Sequence, residues 1–372
     1  MATNYSNRIG RVNARRSGTG VGITEALKGN VFASADDGMV FDSVAQGYQK
    51  KTKSKNFQYA LVSMQEVDAR YTSISYSEAE RVAKQITVGH KRNGKDVAVE
   101  LQGSLPLNVH LRRVSDVDML VWPSHFYIFD IHGVAAPSFA RSTSNAVSEI
   151  TTLRSECCAV LRSAFPAAKI DDSGSKCITM SEGSLLREID VVPSVLHRTA
   201  TFQLTNQDED RGVQIYDKKN AALLINFPFK VRALINAKDG RTVGGCKKAI
   251  RLLKNMKEDA DTTISLSSFD IMSLVYAMPE GDLVHFSYFE GKIVASLQKW
   301  FFRLSWDEPY LRTLNSVDGS RKIVQSAADV AAVTQMSDEL TTLLLLIAQE
   351  LQPDVPTSFD AWRARVENEF LN

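Results

Sequence analysis

The chain has 372 residues, is 44% hydrophobic and 23% charged, and carries a formal net charge of +1. Its length allows two domains and a large core, while the near-neutral charge excludes a global drive onto nucleic acid or membrane. The four cysteines form no C-x-x-C pair and no secretory leader is present, so they read as reduced thiols of a soluble cytoplasmic protein.

Residues 1–39, rich at first in Gly, Ser, Asn and Arg with little hydrophobic period, read as a flexible arm. Residues 40–92 are mostly helical in pattern, interrupted by the basic run 50–55, which reads as a solvated loop. Asn93-Gly94 marks a turn. Val97, Val99 and Leu101 then alternate with Ala98, Glu100 and Gln102, predicting a half-buried strand that ends at Gly103. A second strand is expected over 116–122, with Asp116 and Asp118 on one face and Val117, Met119 and Val121 on the other. Apolar residues at helical spacing run from Val147 to Ala164 and stop at Pro166. Residues 169–180 predict a hairpin arm turning near 172–174, with a second arm over 186–195; the acidic stretch 206–211 reads as a loop.

From residue 229 the pattern is helical to the end, over 229–238, 244–258, 267–278, 283–304, 321–351 and 357–370. Gly244-Gly245 and Pro279-Glu280-Gly281 act as breaks. The longest purely apolar run, 343–348, is far shorter than a bilayer requires. These patterns predict a mixed α/β lobe over 40–228 followed by a helical lobe over 229–372.

Three D-x-D pairs occur: Asp116/Asp118, Asp208/Asp210 and Asp259/Asp261. The second lies in a polar run and the third just past a helix end, so both read as solvated surface charge. Only Asp116/Asp118 falls on an expected strand behind a Gly-Ser turn. Carboxylates crowded on a rigid strand repel one another unless a cation lies between them, and Mg²⁺ or Mn²⁺ with substrate phosphates is the usual occupant. A third strand carboxylate is available downstream. Strand alternation does not choose between Glu188 and Asp190, but the apolar 191–193 that follows places Asp190 deeper. Asp116, Asp118 and Asp190 would then hold two Mg²⁺ (or Mn²⁺) ions for in-line displacement at an NTP α-phosphate. Gly103 and Ser104 would cradle the outgoing phosphates.

Gly-Ser, Asp-x-Asp on a strand and Glu188-Ile189-Asp190-Val191-Val192-Pro193 together resemble the polymerase-β-like nucleotidyltransferases. The Asp190–Pro193 ending is similar to the CD-NTase branch, bacterial relatives of cyclic GMP-AMP synthase found in CBASS anti-phage systems. Lys247 to Lys254 resembles the helix that carries that branch's phosphate-binding lysine, and Ser267-Ser268-Phe269 is similar to its Ser-Ser-Tyr. The resemblance implies a bilobal α+β fold with a mixed sheet in the catalytic lobe. It implies that Lys254 and Ser268 hold triphosphate and that Phe269 stacks on a base, with core packing the other reading of Phe269. Lys247 and Arg251 share that helical face and read as solvated.

The implied product is a cyclic or linear oligonucleotide messenger made from NTPs, with an activating partner or a CBASS effector reached through the product. A template-independent RNA-tailing or small-molecule transferase, or an inactive nucleotide-binding protein, are the competing readings. Nothing resembles the animal enzyme's metal thumb, so direct DNA binding is unsupported. No Walker A loop, G-x-S-x-G elbow or histidine metal spacing is present.

Overall fold

The structure is a computed structural model that describes residues 5–17, 47, 50–112, 114–140 and 142–371. It divides into two units: residues 69–234, and a second unit formed by the residues before Ala69 together with those after Leu234. The expected 39/40 boundary lies outside the described residues. Residues 50–68 pack with the helical unit rather than with the sheet, and the later division falls inside the helix Pro228–Arg241.

The first unit is built on an eight-stranded mixed sheet: β1 (Val97–Gln102), β2 (Val117–Pro123), β3 (Tyr127–Phe129), β4 (Lys169–Asp171), β5 (Ile178–Ser181), β6 (Ile189–Arg198), β7 (Gly212–Asp217) and β8 (Ala222–Asn226). β6 is its spine. It runs parallel to β2 over Ile189–Pro193, antiparallel to β5 over Ile189–Val191, and antiparallel to β7 from Ser194 to His197. Pro193 therefore falls in the gap between the β5 and β7 ladders, where its missing N–H leaves no bond unmade on that edge.

Alternation fills both faces. Val117, Met119, Val121, Ile189 and Val191 pack with Ile178 and Met180 against the helices Ala69–Arg92 and Ala146–Ala164, while Leu120, Trp122 and Val192 pack with Phe229 on the opposite side. Arg154 of the second helix is buried, ion-paired to Asp172, and donates to the carbonyls of Gly174 (2.7 Å) and Cys177 (2.6 Å). It ties the helix to the loop that leads into β5. The β7–β8 hairpin and β3 were not anticipated from the sequence, although Val213 and Ile215 do alternate in and out.

The second unit is helical. Gly291–Trp306 packs against Ala327–Leu351 and Phe359–Glu367, and Lys55–Met64 packs against Gly245–Asp259. Ala327–Leu351 as a whole is long and apolar enough to cross a membrane, although no single apolar run is; about half of its apolar stretch is buried among its neighbours, as in a core helix. Residues 284–290 and 321–326 are not helical, contrary to the expected spans; the long helix begins only after Ser326, which caps it in a capping box with Asp329.

The flexible-arm expectation fails for residues 5–17. They form a helix with Tyr5 and Arg8 buried. Arg8 donates to Glu339 (2.6 Å) and Arg15 donates to both oxygens of Asp259 at 2.6 and 2.7 Å. Asp259 is fully buried and also accepts from the Tyr59 hydroxyl at 3.1 Å, so it is a core carboxylate rather than the solvated charge expected; Asp261 is exposed. An acidic side chain opposes the dipole in the last turn of Gly245–Asp259, and the arginines of the N-terminal helix supply the compensating charge.

Candidate active site

Asp116, Asp118 and Asp190 are gathered at one end of the β2/β6 pair. Asp118 lies directly opposite Asp190 in the parallel register, and Asp116 stands one residue before β2, exposed, rather than within the strand as expected. The Val117 N–H donates to the Glu188 carbonyl at 3.2 Å, so 116/118 and 188/190 form two adjacent rows of carboxylates. Glu188 is exposed whereas Asp190 is half-buried within β6, which favours Asp190 as the deeper member. The Asp116 carboxyl is held above the usual carboxylate range by partial burial first, then by the negative charges of Asp190 and Glu188.

Neighbours fix the two inner carboxylates. The Thr179 hydroxyl, across the β5–β6 ladder from Asp190, donates to Asp190 Oδ1 at 2.6 Å. Gly103 has φ +75°, and a Cβ there would stand 2.3 Å from Asp118 Oδ2. The Gly-Ser turn therefore abuts Asp118 by having no side chain. Ser104 follows, half-buried, and its carbonyl accepts from the Val109 N–H at 3.0 Å.

The long loop from Leu105 to Ser115 is anchored rather than loose. Leu105, Leu107, Val109 and Leu111 are buried; His110 Nε2 lies 3.1 Å from the Thr72 hydroxyl, and the Arg112 guanidinium packs 4.5 Å from the Tyr71 ring centre. Arg187 covers the same ring at 4.3 Å. His110 and Arg112 thus clamp the loop to the start of the helix Ala69–Arg92, a role that spacing alone does not reveal.

Lys254, Ser268 and Phe269 belong to the helical unit. Lys254 is buried on Gly245–Asp259; Ser268 is exposed as the first residue of Ser268–Tyr276, a helix capped by Ser267 and Asp270; Phe269 is half-buried. Sequence reasoning missed Arg321, whose guanidinium lies 5.4 Å from the Phe269 ring centre and 2.5 Å from Asp270 Oδ1. Arg251, expected on a solvated face, is buried and donates to the Met64 carbonyl at 2.7 Å. Lys247 is largely buried, 3.8 Å from Asp239.

The helical segment 233–344 matches the family model for the cGAS/DncV-like nucleotidyltransferase C-terminal helical domain. Over 367 residues, 96% of this chain and 95% of the relative, the sequence is 30% identical to the cyclic dinucleotide synthase CdnE of Yersinia aleksiciae. The chain belongs to the CD-NTase family. It is accordingly a nucleotidyltransferase, with the α+β bilobal fold of that family. A c-di-GMP synthase of a Lachnospiraceae bacterium is 27% identical, over 76% of this chain and 86% of the relative. The solved structure of a STING-associated CdnE c-di-GMP synthase from Flavobacteriaceae sp. superposes with a TM-score of 0.74 at 23% identity, covering 94% of this chain and all of that one.

CD-NTases, as nucleotidyltransferases, generally use divalent metal ions. Among the described residues no three His, Cys, Asp or Glu side chains converge into a ready-made cation cage. The donor chemistry nevertheless fits a hard divalent ion: the candidates are all carboxylates, two stand in register, and Asp116 carries the like-charge repulsion that a cation relieves.

Proposed function

We propose that this CD-NTase makes a cyclic dinucleotide from NTPs. A ribose 2′- or 3′-hydroxyl attacks an α-phosphorus; a new P–O bond forms, the bond to the departing pyrophosphate breaks, and the hydroxyl proton passes to solvent. A second such step closes the ring, and a linear oligonucleotide is the product if it does not. The observation that carries this reading is the in-register pair Asp118/Asp190, with Asp116 one step ahead and a side-chain-free glycine turn against Asp118. The 30% identity to a cyclic dinucleotide synthase supports the product class.

In this reading Asp116, Asp118 and Asp190 would hold two Mg²⁺ (or Mn²⁺) ions. When bound, such ions lower the pKa of the attacking hydroxyl and neutralise charge on the phosphoryl oxygens. Backbone N–H groups following Gly103, with the Ser104 hydroxyl, orient the outgoing phosphates. Lys254 and Ser268 bind triphosphate, and Phe269 offers an aromatic face to a base, which suits any base because every base has a π-face. The product would act as a messenger read by a downstream effector in anti-phage defence of the CBASS type; the CdnE of Flavobacteriaceae sp. is STING-associated, which supports an effector link.

Mass spectrometry of products from all four NTPs with Mg²⁺, beside an Asp116→Ala/Asp118→Ala control, tests the reading. A pyrophosphate-releasing cyclic product lost in the control is the expected result. Product formed only when RNA or a small acceptor is added would replace this reading with a tailing or small-molecule transferase. NTP binding without turnover, unchanged by the control, would mark an inactive nucleotide-binding protein.

A further inference from the structure

The geometry points to Thr179 as a positioning residue that aims the Asp190 carboxylate for cation binding. This rests on the reading of Asp190 as a cation ligand. Thr179 sits opposite Asp190 in the antiparallel β5–β6 register, and its hydroxyl donates to Oδ1 at 2.6 Å. That bond engages one carboxylate oxygen and restrains the orientation of a group that the Cys177 side chain also flanks, so that the carboxylate would meet a cation in a preset direction. Mg²⁺ demands near-ideal octahedral geometry, so a carboxylate held in one orientation suits it better than one free to turn and chelate through both oxygens.

The support runs one layer deeper. Arg154, buried in the Ala146–Ala164 helix, donates to the Cys177 carbonyl at 2.6 Å and holds the start of β5 two residues from Thr179. Thr179 is half-buried while Ile178 and Met180 on either side are fully buried, so the strand cannot rotate the hydroxyl away without unpacking the core. Hydrogen-bond partners of this kind orient metal-binding groups, and their loss typically weakens metal affinity about 10- to 100-fold.

The test is Mn²⁺ binding to the full chain, followed by electron paramagnetic resonance, in Thr179→Val, Thr179→Ser and Asp190→Asn. Thr179→Val keeps shape and strand preference but removes the donor, and should weaken binding about 10- to 100-fold. Thr179→Ser keeps the donor and should bind as the parent does. Circular dichroism of each variant checks the fold, and the Ser variant separates the hydrogen bond from packing. If Thr179→Val binds Mn²⁺ like the parent while Asp190→Asn does not, Thr179 has no positioning role. Equal weakening in Ser and Val also overturns it, because packing then explains the effect. Should Asp190→Asn bind as tightly as the parent, the carboxylate reading itself fails and the proposal with it.

Discussion

A Cβ added to Gly103 would stand 2.3 Å from Asp118 Oδ2, closer than two non-bonded atoms can approach. The turn and the carboxylate are therefore one device: the backbone closes over Asp118 only because residue 103 has no side chain.

Gly94 provides the control for this contact. Both glycines have φ near +75° (+74° at Gly94), but a Cβ on Gly94 meets nothing within 4 Å. Gly94→Ala should cost about 1–2 kcal/mol from the left-handed backbone and leave catalysis intact. Gly103→Ala should carry the same strain and in addition displace Asp118, lowering kcat far more than the melting temperature falls. Equal activities of the two variants would show that the clash has no catalytic consequence.

Metal-free protein should lose stability as pH rises because of Asp116. Its folded pKa is raised above the unfolded value, so folding favours the protonated form. That contribution is fully present below the unfolded pKa and is lost as pH rises through the folded one. In EDTA, Asp116→Asn should therefore gain stability relative to the parent between acid and neutral pH, with Mg²⁺ shrinking the difference. In the turnover assay the same variant should lose about 100-fold or more, the scale of removing a preorganised electrostatic group. Thermal melts across pH give the first readout; a gap that narrows as pH rises contradicts the repulsion.

Arg15→Ala leaves the buried carboxylate of Asp259 without its arginine. Breaking a buried pair from one side costs about 3–5 kcal/mol, reduced here because the Tyr59 hydroxyl still donates to Asp259. Chemical denaturation should show a destabilisation near 3 kcal/mol in Arg15→Ala, and the double variant Arg15→Ala/Asp259→Asn should be less destabilised than the sum of the two singles. Strict additivity would mean that the two side chains do not act as a pair.

Phe269→Leu separates stacking from packing. Base stacking on an aromatic is worth about 1–3 kcal/mol, so the KM for NTP should rise roughly 5- to 150-fold with little change in melting temperature. A lowered melting temperature with unchanged KM would return Phe269 to the core. Arg321→Gln, which removes the charge beside the ring and the partner of Asp270, should move KM in the same direction if that aromatic face is used.

Much of this arrangement was legible in the sequence because alternation is a strong code. Val97, Val99 and Leu101, the 117–121 run and the 189–195 run turn apolar side chains into the core, and Asp118 and Asp190 stand near the starts of their strands; the register that pairs the two is not contained in that alternation. What escaped depended on partners distant in sequence. Asp259 looks solvated until Arg15, 244 residues away, is placed beside it. Thr179 is one more strand residue until the register sets it opposite Asp190. The N-terminal helix folds on partners far away in sequence: Tyr5 and Val12 are buried, Tyr5 beside Tyr59, and Glu339 and Asp259 hold Arg8 and Arg15. The loop after Ser104 was opaque for the same reason, since His110 and Arg112 find their partners on Thr72 and Tyr71.

The helical unit takes its parts from both ends of the chain, with the sheet unit encoded between them. Tyr5 bonds to Glu339, 334 positions further along the chain, so the helix Tyr5–Ser17 has no native partner for that hydroxyl until residue 339 has been synthesised. Residues 69–234, by contrast, form a continuous segment that can close as soon as it emerges. Assembly on the ribosome should thus proceed from the inside outward, the carboxylate-bearing sheet first and the helical unit last, as its long-range closures demand. Residues 5–17, made before the sheet unit, would reach their final places after it.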